Sequence, residues 1–508
     1  MDSQGASSDV LHDLIVVGGG VNGAGVARDA AGRGLKVLLV EKDDLASATS
    51  AWSSKLIHGG LRYLELYEFR LVSEALAERE ILLATARHIV WPSRFVMPHV
   101  PDLRPRWMIR TGLFLYDNLG AFAKAKSASR TPLPGSESVR LDEAPYASGL
   151  KGNLIHGFAY SDCRVDDARL VVLNAMAARD AGATVLTQTE CVSGRRESGE
   201  WRLRLRGPDG EREVRGRAVV NAAGPWVKRV LNERMGQPSK EAVRLVKGSH
   251  IVLPRLYDGE HAFILQNDDR RVVFMIPYEQ SYTLVGTTDV PVDEEAHPQA
   301  TDAEVEYLCR AVNRYLAKQV TPADVAWRYS GVRPLYDDGT SDPSAVTRDY
   351  TLRVYDEAGH APLLSIYGGK ITTYRRLAEH VLDRLAPYFT GLKPAWTASR
   401  CLPGSDFGSA SRESARDAFF ARHPAIARAT LRGIFRRHGS LADAVVGDGQ
   451  LGEDFGAGLH EREIAYLRER EWARTAEDVL WRRTKCGLHM DAAQRKAFEE
   501  YMAGRKRA

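Results

Sequence analysis

The residues best placed to do chemistry begin at Gly18. Gly18-Gly19-Gly20-Val21-Asn22-Gly23 has the spacing G-x-G-x-x-G, directly after the apolar run Leu14-Ile15-Val16-Val17 and ahead of Ala24, Ala27, Ala30 and Ala31 at helical spacing. Gly18 permits a tight turn, Gly20 lets a pyrophosphate approach the backbone, and Gly23 allows close helix–strand packing. Amides at the helix start, Val21 and Asn22 among them, then face the phosphates. Glu41 ends the next run, Lys36 to Val40, where a carboxylate hydrogen-bonds a ribose hydroxyl; Lys42 adjoins it. Strand, glycine turn, helix, strand and acid together predict a dinucleotide site rather than a bare glycine turn. Gly447-Asp448-Gly449-Gln450-Leu451-Gly452 has the same spacing, but a charged helix from His460 follows it, without a second strand or a strand-ending acid. It reads as a loop, so one dinucleotide is expected, not two.

The βαβ unit by itself does not separate NAD from FAD. The wider layout favours FAD, because further glycine turns lie far downstream at Ala222-Ala223-Gly224-Pro225 and Tyr367-Gly368-Gly369-Lys370. A long flavin threaded along a sheet needs close backbone approach at several such places, and the residues between them can form an inserted substrate domain. Arg62, Arg333, Arg348 and Lys370 each sit beside Gly, Pro or Asp rather than on a helix face. Such a set suits a phosphate monoester, which guanidinium forks grip in bidentate fashion. Any one of them alone reads equally well as a solvated charge or as the partner of a neighbour such as Asp349.

The elements that must position these residues follow from periodicity. Arg70 to Ala86 carries Leu71, Ala75, Leu82, Leu83 and Ala86 on one stripe and predicts an amphipathic helix. Residues 120–150 are rich in Ser, Pro and Gly and read as loops. Val165 to Ala181 predicts a helix, and Thr184–Thr187, Trp201–Leu205 and Ala218–Asn221 predict strands. Alternation between Ile251 and Val290 predicts an antiparallel sheet. After about residue 397 the chain becomes helical and Arg-rich, as in Glu461–Arg470 and Ala476–Lys485, which marks a separate small domain. With 508 residues, 44% hydrophobic and 27% charged, two or three globular domains are expected. Lys+Arg 70 against Asp+Glu 66 gives +4, too small and too even an excess for nucleic acid, yet compatible with an anionic small substrate or an acidic membrane surface. The five cysteines are widely spaced with no metal-ligand pattern, the N-terminus lacks a signal peptide, and no window is apolar enough to span a bilayer. A reduced, intracellular protein is expected, with no metal.

The segment Thr49-Ser50-Ala51-Trp52-Ser53-Ser54-Lys55-Leu56-Ile57-His58-Gly59-Gly60-Leu61-Arg62-Tyr63-Leu64-Glu65 resembles the flavin loop of the FAD-dependent glycerol-3-phosphate dehydrogenases. So do Lys247-Gly248-Ser249-His250, Gly286-Thr287-Thr288-Asp289, Ser330-Gly331-Val332-Arg333-Pro334, Thr347-Arg348-Asp349-Tyr350 and Gly369-Lys370-Ile371-Thr372-Thr373-Tyr374. The resemblance extends to Trp481-Arg482-Arg483-Thr484-Lys485 and looks closest to the aerobic, quinone-linked branch. The extended Ser-rich N-terminus and the stretch around Ala121–Pro134 depart from the pattern without touching the site.

The resemblance implies an α/β (overall α+β) fold: an FAD-binding Rossmann-type domain (1–80, 150–228 and 330–397), an interleaved antiparallel-sheet substrate and membrane-facing domain (81–149 and 229–329), and a C-terminal helical cap (398–508). It implies FAD contacts at Thr49, Ser50, Ser53, Ser54, Lys55, Leu56, His58, Gly59, Val192, Ala222, Ala223, Gly224, Gly331, Arg333, Gly369, Lys370, Ile371 and Thr372, beside those of the βαβ unit. It puts Arg62, Tyr63, Arg333, Arg348 and Lys370 around the substrate. The implied reaction oxidises glycerol 3-phosphate to dihydroxyacetone phosphate, hydride passing from the carbinol carbon to flavin N5 and electrons on to membrane quinone. His58, His250 and Lys370 are the candidate bases, each equally readable as a structural residue, and Arg333 is the candidate stabiliser of a developing alkoxide. An oxidase that reduces oxygen to hydrogen peroxide is the competing expectation, with an amino-acid oxidase or a decayed flavin-binding scaffold further off.

Location at the inner face of the cytoplasmic membrane is also implied. Arg104-Pro105-Arg106-Trp107-Met108-Ile109-Arg110-Thr111-Gly112-Leu113-Phe114-Leu115-Tyr116 mixes Arg with aromatic and aliphatic residues and suits an interfacial segment; a helix packed on the substrate domain is the alternative. The family favours a capping role for the tail, and a homodimer contact is the other use open to it.

Overall fold

The computed structural model describes residues 10–100, 105–124, 133–269, 271–293, 298–337 and 349–504. Two sheets organise it. The first has parallel strands in the order His360–Tyr367, Gly210–Asn221, Leu11–Val17, Val37–Val40, Thr184–Leu186, with Thr351–Glu357 antiparallel at one edge. Leu14 to Val17 is a continuous apolar run because this strand is central and covered on both faces. The helix Val21–Gly32 covers one face together with Asp167–Asp180 and Tyr374–Leu385. Its alanines leave room for that three-helix contact; at Gly25 a Cβ would stand 2.8 Å from the Tyr374 ring. An antiparallel branch, Glu190–Glu197 and Glu200–Gly207, brings Trp201 to the other face.

The second sheet has ten strands and is mostly antiparallel. Val243–Pro254 is its long central member, paired with Trp327–Tyr336 and Tyr282–Gly286. Val90–Pro98 and His156–Val165 form the other half, and the short strand Leu56–Ile57 closes that edge. Three strands therefore sit differently from their expected segments. Leu56–Ile57, His156–Val165 and Trp327–Tyr336 hydrogen-bond within the second sheet, though each has a neighbouring strand along the chain in the first. The chain crosses between the sheets more often than a division by composition reveals.

The loop expected over 120–150 is a second difference. A helix runs over Arg106–Lys124, and Glu137–Arg140 is a strand on His156–Val165. The helix buries Ile109, Leu113 and Tyr116, which recur at helical spacing, so apolar periodicity outweighs the small residues at its end. The tail is helical as expected, with cores around Phe419, Leu431 and Phe435 and around Phe455, Ile464 and Phe498. Residues 476–485 are not a regular helix; Asp478–Arg483 forms a wide π-type turn.

Candidate active site: a dinucleotide cleft beside a basic wall

The cleft opens at the carboxyl ends of the parallel strands, where doubly wound sheets bind ligands. Gly18 has φ +112° and a Cβ there would lie 2.5 Å from the Ala222 carbonyl oxygen; at Gly23 it would lie 1.8 Å from the Gly18 carbonyl oxygen. No side chain fits at either place, so the helix start is pressed against both strand ends. Gly19 N donates to Glu41 Oε2 at 2.6 Å and Asp43 N to Oε1 at 2.9 Å. Burial raises the Glu41 pKa despite those two amides. Ser50 Oγ accepts from Val21 N at 3.0 Å, which fixes the loop over the helix start. Asn22 Nδ2 donates to the Gly368 carbonyl at 3.2 Å, joining the first glycine turn to the last. Asn22 Oδ1 is buried without a partner among the described residues.

The wall is formed by Gly18, Gly20, Val21, Asn22, Glu41, Lys42, Thr49, Ser50, Ala222, Ala223, Gly224 and Gly369 from the sequence-derived set. Ala46, Ser47, Ala48, Thr189, Glu190, Cys191, Pro225, Trp226 and Gly368 join them. These additions lack a motif of their own, apart from Pro225 and Gly368, which belong to the two quoted glycine turns. Val192 is buried one position past the wall, its carbonyl accepting from Arg234 Nη1 at 3.3 Å.

The following loop leaves the cleft and ties three elements together. Thr49 Oγ1 donates to the Val332 carbonyl at 2.6 Å, and Gly331 passes so close to Trp52 that a Cβ would stand 2.9 Å from its carbonyl oxygen. Ser53 Oγ and Lys55 Nζ both bind Asp167, at 2.7 and 2.8 Å. Ser53 and Lys55 are thus turned toward the first helix layer, outside the cleft wall, and Leu56 is core. Ser54 Oγ and His250 Nε2 are 2.9 Å apart, and the imidazole stacks on Tyr329 at 4.8 Å. Burial, with Lys55 and Arg333 nearby, lowers the His250 pKa to about 3. His58 N donates to Thr372 Oγ1 at 3.3 Å, and Gly59 N donates to the Tyr116 hydroxyl at 2.8 Å. Tyr116 in turn donates to Asp162 at 2.7 Å; burial, then that carboxylate, raises its pKa so that it remains a donor.

Two of the candidate cations adjoin residues that line the cleft, Arg333 before Pro334 and Lys370 after Gly369. Arg333 Nη2 donates to the Thr288 carbonyl at 3.0 Å and pairs with Asp289 at 2.5 Å. Lys370 Nζ stands 3.9 Å from the Tyr63 ring centroid, a close cation–π contact, and Ile371 packs beneath on the first core. Arg62 lies in the short helical turn Leu61–Leu66 with Tyr63. Arg348 lies outside the described residues, and its neighbour Asp349 pairs with Arg70 at 2.5 Å. The structure thus brings Tyr63 and Lys370 together and holds His250 close enough to Arg333 for charge to be felt.

A family model described as FAD dependent oxidoreductase matches residues 13–375. The chain belongs to the FAD-dependent oxidoreductase family. It is 51% identical over 498 residues to a glycerol-3-phosphate dehydrogenase of Pseudomonas aeruginosa, covering 97% of this chain and 95% of that one. It is 49% identical to the aerobic glycerol-3-phosphate dehydrogenase of Escherichia coli (96% and 97% covered) and 50% identical to a D-erythritol 1-phosphate dehydrogenase of Brucella abortus (96% and 97%). Among solved structures, the glycerol-3-phosphate dehydrogenase of Bacillus halodurans complexed with FAD is similar with a TM-score of 0.73 at 25% identity, over 98% of this chain and 95% of that chain. The cofactor of this FAD-dependent oxidoreductase fits the residues present: glycine cradles that no Cβ can enter, a carboxylate at the strand end, and the unpartnered Asn22 Oδ1.

Proposed function

We propose that the protein oxidises glycerol 3-phosphate at its secondary carbinol, giving dihydroxyacetone phosphate, and passes the electrons to a membrane quinone from the cytoplasmic face. The observation that carries this reading is the pair of cations next to the cleft lining, Arg333 preceding Pro334 and Lys370 following Gly369, in a chain half identical to dehydrogenases of that name. Bound FAD supplies the hydride acceptor. The chain's own residues bind the phosphate and take the hydroxyl proton. Arg333, oriented by Asp289 and the Thr288 carbonyl, presents a fixed guanidinium to substrate oxygen. With a pKa of about 3, His250 is neutral at working pH and too weak a base for the proton, so its part is to hold Ser54 and the loop. His58 and Lys370 remain as bases.

Membrane attachment is supported by the outer face of the Arg106–Lys124 helix, where Trp107 is 69% and Phe114 60% exposed, with Met108 and Leu115 alongside. Leu66, Tyr67 and Phe69 extend the apolar surface past the turn that carries Arg62. Among the described residues no helix is long and apolar enough to cross a membrane, so attachment is through this face.

The test is anaerobic bleaching of the bound flavin by glycerol 3-phosphate, followed by reoxidation with a short-chain quinone or with oxygen. Bleaching with fast quinone reoxidation is expected; peroxide release at a comparable rate makes the protein an oxidase. The Brucella relative supplies a second substrate to compare. If D-erythritol 1-phosphate bleaches the flavin faster at equal concentration, the substrate is the longer polyol phosphate.

A further inference from the structure

The C-terminal cap is fastened to the cofactor loop through one carboxylate. Asp44 is 6% exposed and lies in the segment 41–50, most of which lines the cleft. Its Oδ2 accepts from Arg482 Nε and Arg483 Nη1 and its Oδ1 from Arg483 Nη2, each at 2.7 Å. Arg483 is fully buried and also donates to the Glu471 carbonyl at 2.7 Å. The Glu471 carboxylate takes Arg169, on the helix behind the first sheet, at 2.9 Å. Next to the pair, Trp481 stacks on Trp327 with centroids 4.6 Å apart.

The same loop touches the cofactor turn directly. Ala46 N donates to the Gly19 carbonyl at 3.2 Å, and Glu41 and Ser50 hold Gly19 N and Val21 N. Arg482 also pairs with Glu477 and Asp478, and Arg483 with Glu471. Among the described residues, however, the buried Asp44 carboxylate is hydrogen-bonded by these two guanidinium groups alone. A loop that shifts away from the π-type turn Asp478–Arg483 leaves a buried charge unpaired, so the two are held to move together. The cap has its own two cores, so leaving its seat is an event separate from unfolding. Other fastenings bypass the loop: Arg436 Nη1 to Glu279 at 2.6 Å, and the Tyr282 hydroxyl to the Leu488 carbonyl at 2.7 Å.

We propose that docking of the turn Asp478–Arg483 and retention of FAD are one coupled equilibrium, with Asp44, Arg482 and Arg483 as the coupling element. The docked turn holds segment 41–50 in its place along the cleft, and by reciprocity a filled cleft would hold the turn docked. This gives the Trp481-Arg482-Arg483-Thr484-Lys485 sequence a role in cofactor retention, and it stands whichever substrate the enzyme takes.

Hydrogen exchange on the full-length wild-type protein, with FAD and after its removal, tests the coupling without any substitution. Peptides covering 41–50 and 478–484 are expected to exchange about tenfold faster or more without FAD, while those around Arg436 and Leu488 change little. In holoprotein carrying Asp44→Asn, the 478–484 peptide is expected to be fast already and flavin release on dilution, followed by fluorescence, about tenfold quicker. Exchange at 478–484 that ignores FAD removal, or an acceleration shared equally by the Arg436 peptide, overturns the proposal. So does wild-type flavin release from the folded Asp44→Asn protein.

Discussion

The dinucleotide cleft and the basic wall beside it are built on opposite principles. In the cleft, backbone does the work: Gly18 and Gly23 are there because nothing larger fits where the turn meets the strand end at Ala222. In the wall, side chains do the work, and each is held by a residue distant in sequence. Arg333 rests on Asp289, 44 positions away, and Lys370 rests on the Tyr63 ring from much earlier in the chain. The glycine cradle should therefore be intolerant of added volume, and substrate handling sensitive to charge.

The largest effect that sharpens this contrast is at Gly18. Gly18→Ala forces a Cβ to 2.5 Å from a backbone oxygen at φ +112°, whereas at Gly224, with φ +55°, a Cβ meets nothing within 4 Å. Strain plus overpacking costs several kcal/mol, so flavin retained on purification should fall more than about tenfold for Gly18→Ala and much less for Gly224→Ala. Equal losses break the steric account. Next in size is the exposed helix. Replacing Trp107 and Phe114 by Ser removes about 1.5 kcal/mol of interfacial burial each, so liposome partitioning should weaken on the order of 100-fold. Turnover with a soluble electron acceptor should stay unchanged; a fall there would tie that face to the site itself.

The smallest effect is with pH. Burial lowers the pKa of His250 to about 3 and of His261 to about 4, both from 6.5. Both stay neutral in the folded chain while the unfolded chain takes up protons below pH 6.5. Their contribution to stability is thus whole above that value and is lost as pH falls toward 4, by up to about 1.4 kcal/mol per pH unit for each. Urea midpoints should drop between pH 7 and 5, less steeply in His261→Gln; an identical slope would falsify the assignment to His261. The reductive rate should show no ionisation of His250 near 6.5.

Legibility in the sequence divides along the same line. Gly18, Glu41 and the downstream glycine turns were readable because a local turn or a strand end dictates the residue type. The cations Arg333 and Lys370 were readable as types, but their partners were not. Asp167, Tyr116 and Asp44 carry no local signal, since an acid at a helix start or a tyrosine on an apolar face has many ordinary uses. Their roles appear only when the chain returns from 112, 57 and 438 positions away. The sheet crossings at 56–57, 156–165 and 327–336 were hidden for the same reason: strand pairing between distant segments leaves no trace in either one's periodicity.

The central claim, that side-chain cations read the phosphate while the backbone holds the flavin, is tested most directly by flavin reduction in single turnover with glycerol 3-phosphate and with glycerol. Wild type should strongly prefer the phosphorylated substrate, and Arg333→Met should lose about 100-fold to 1,000-fold on it, with glycerol nearly unaffected and full flavin content. An Arg333→Met protein that keeps the wild-type preference, or that loses its flavin instead, contradicts the account.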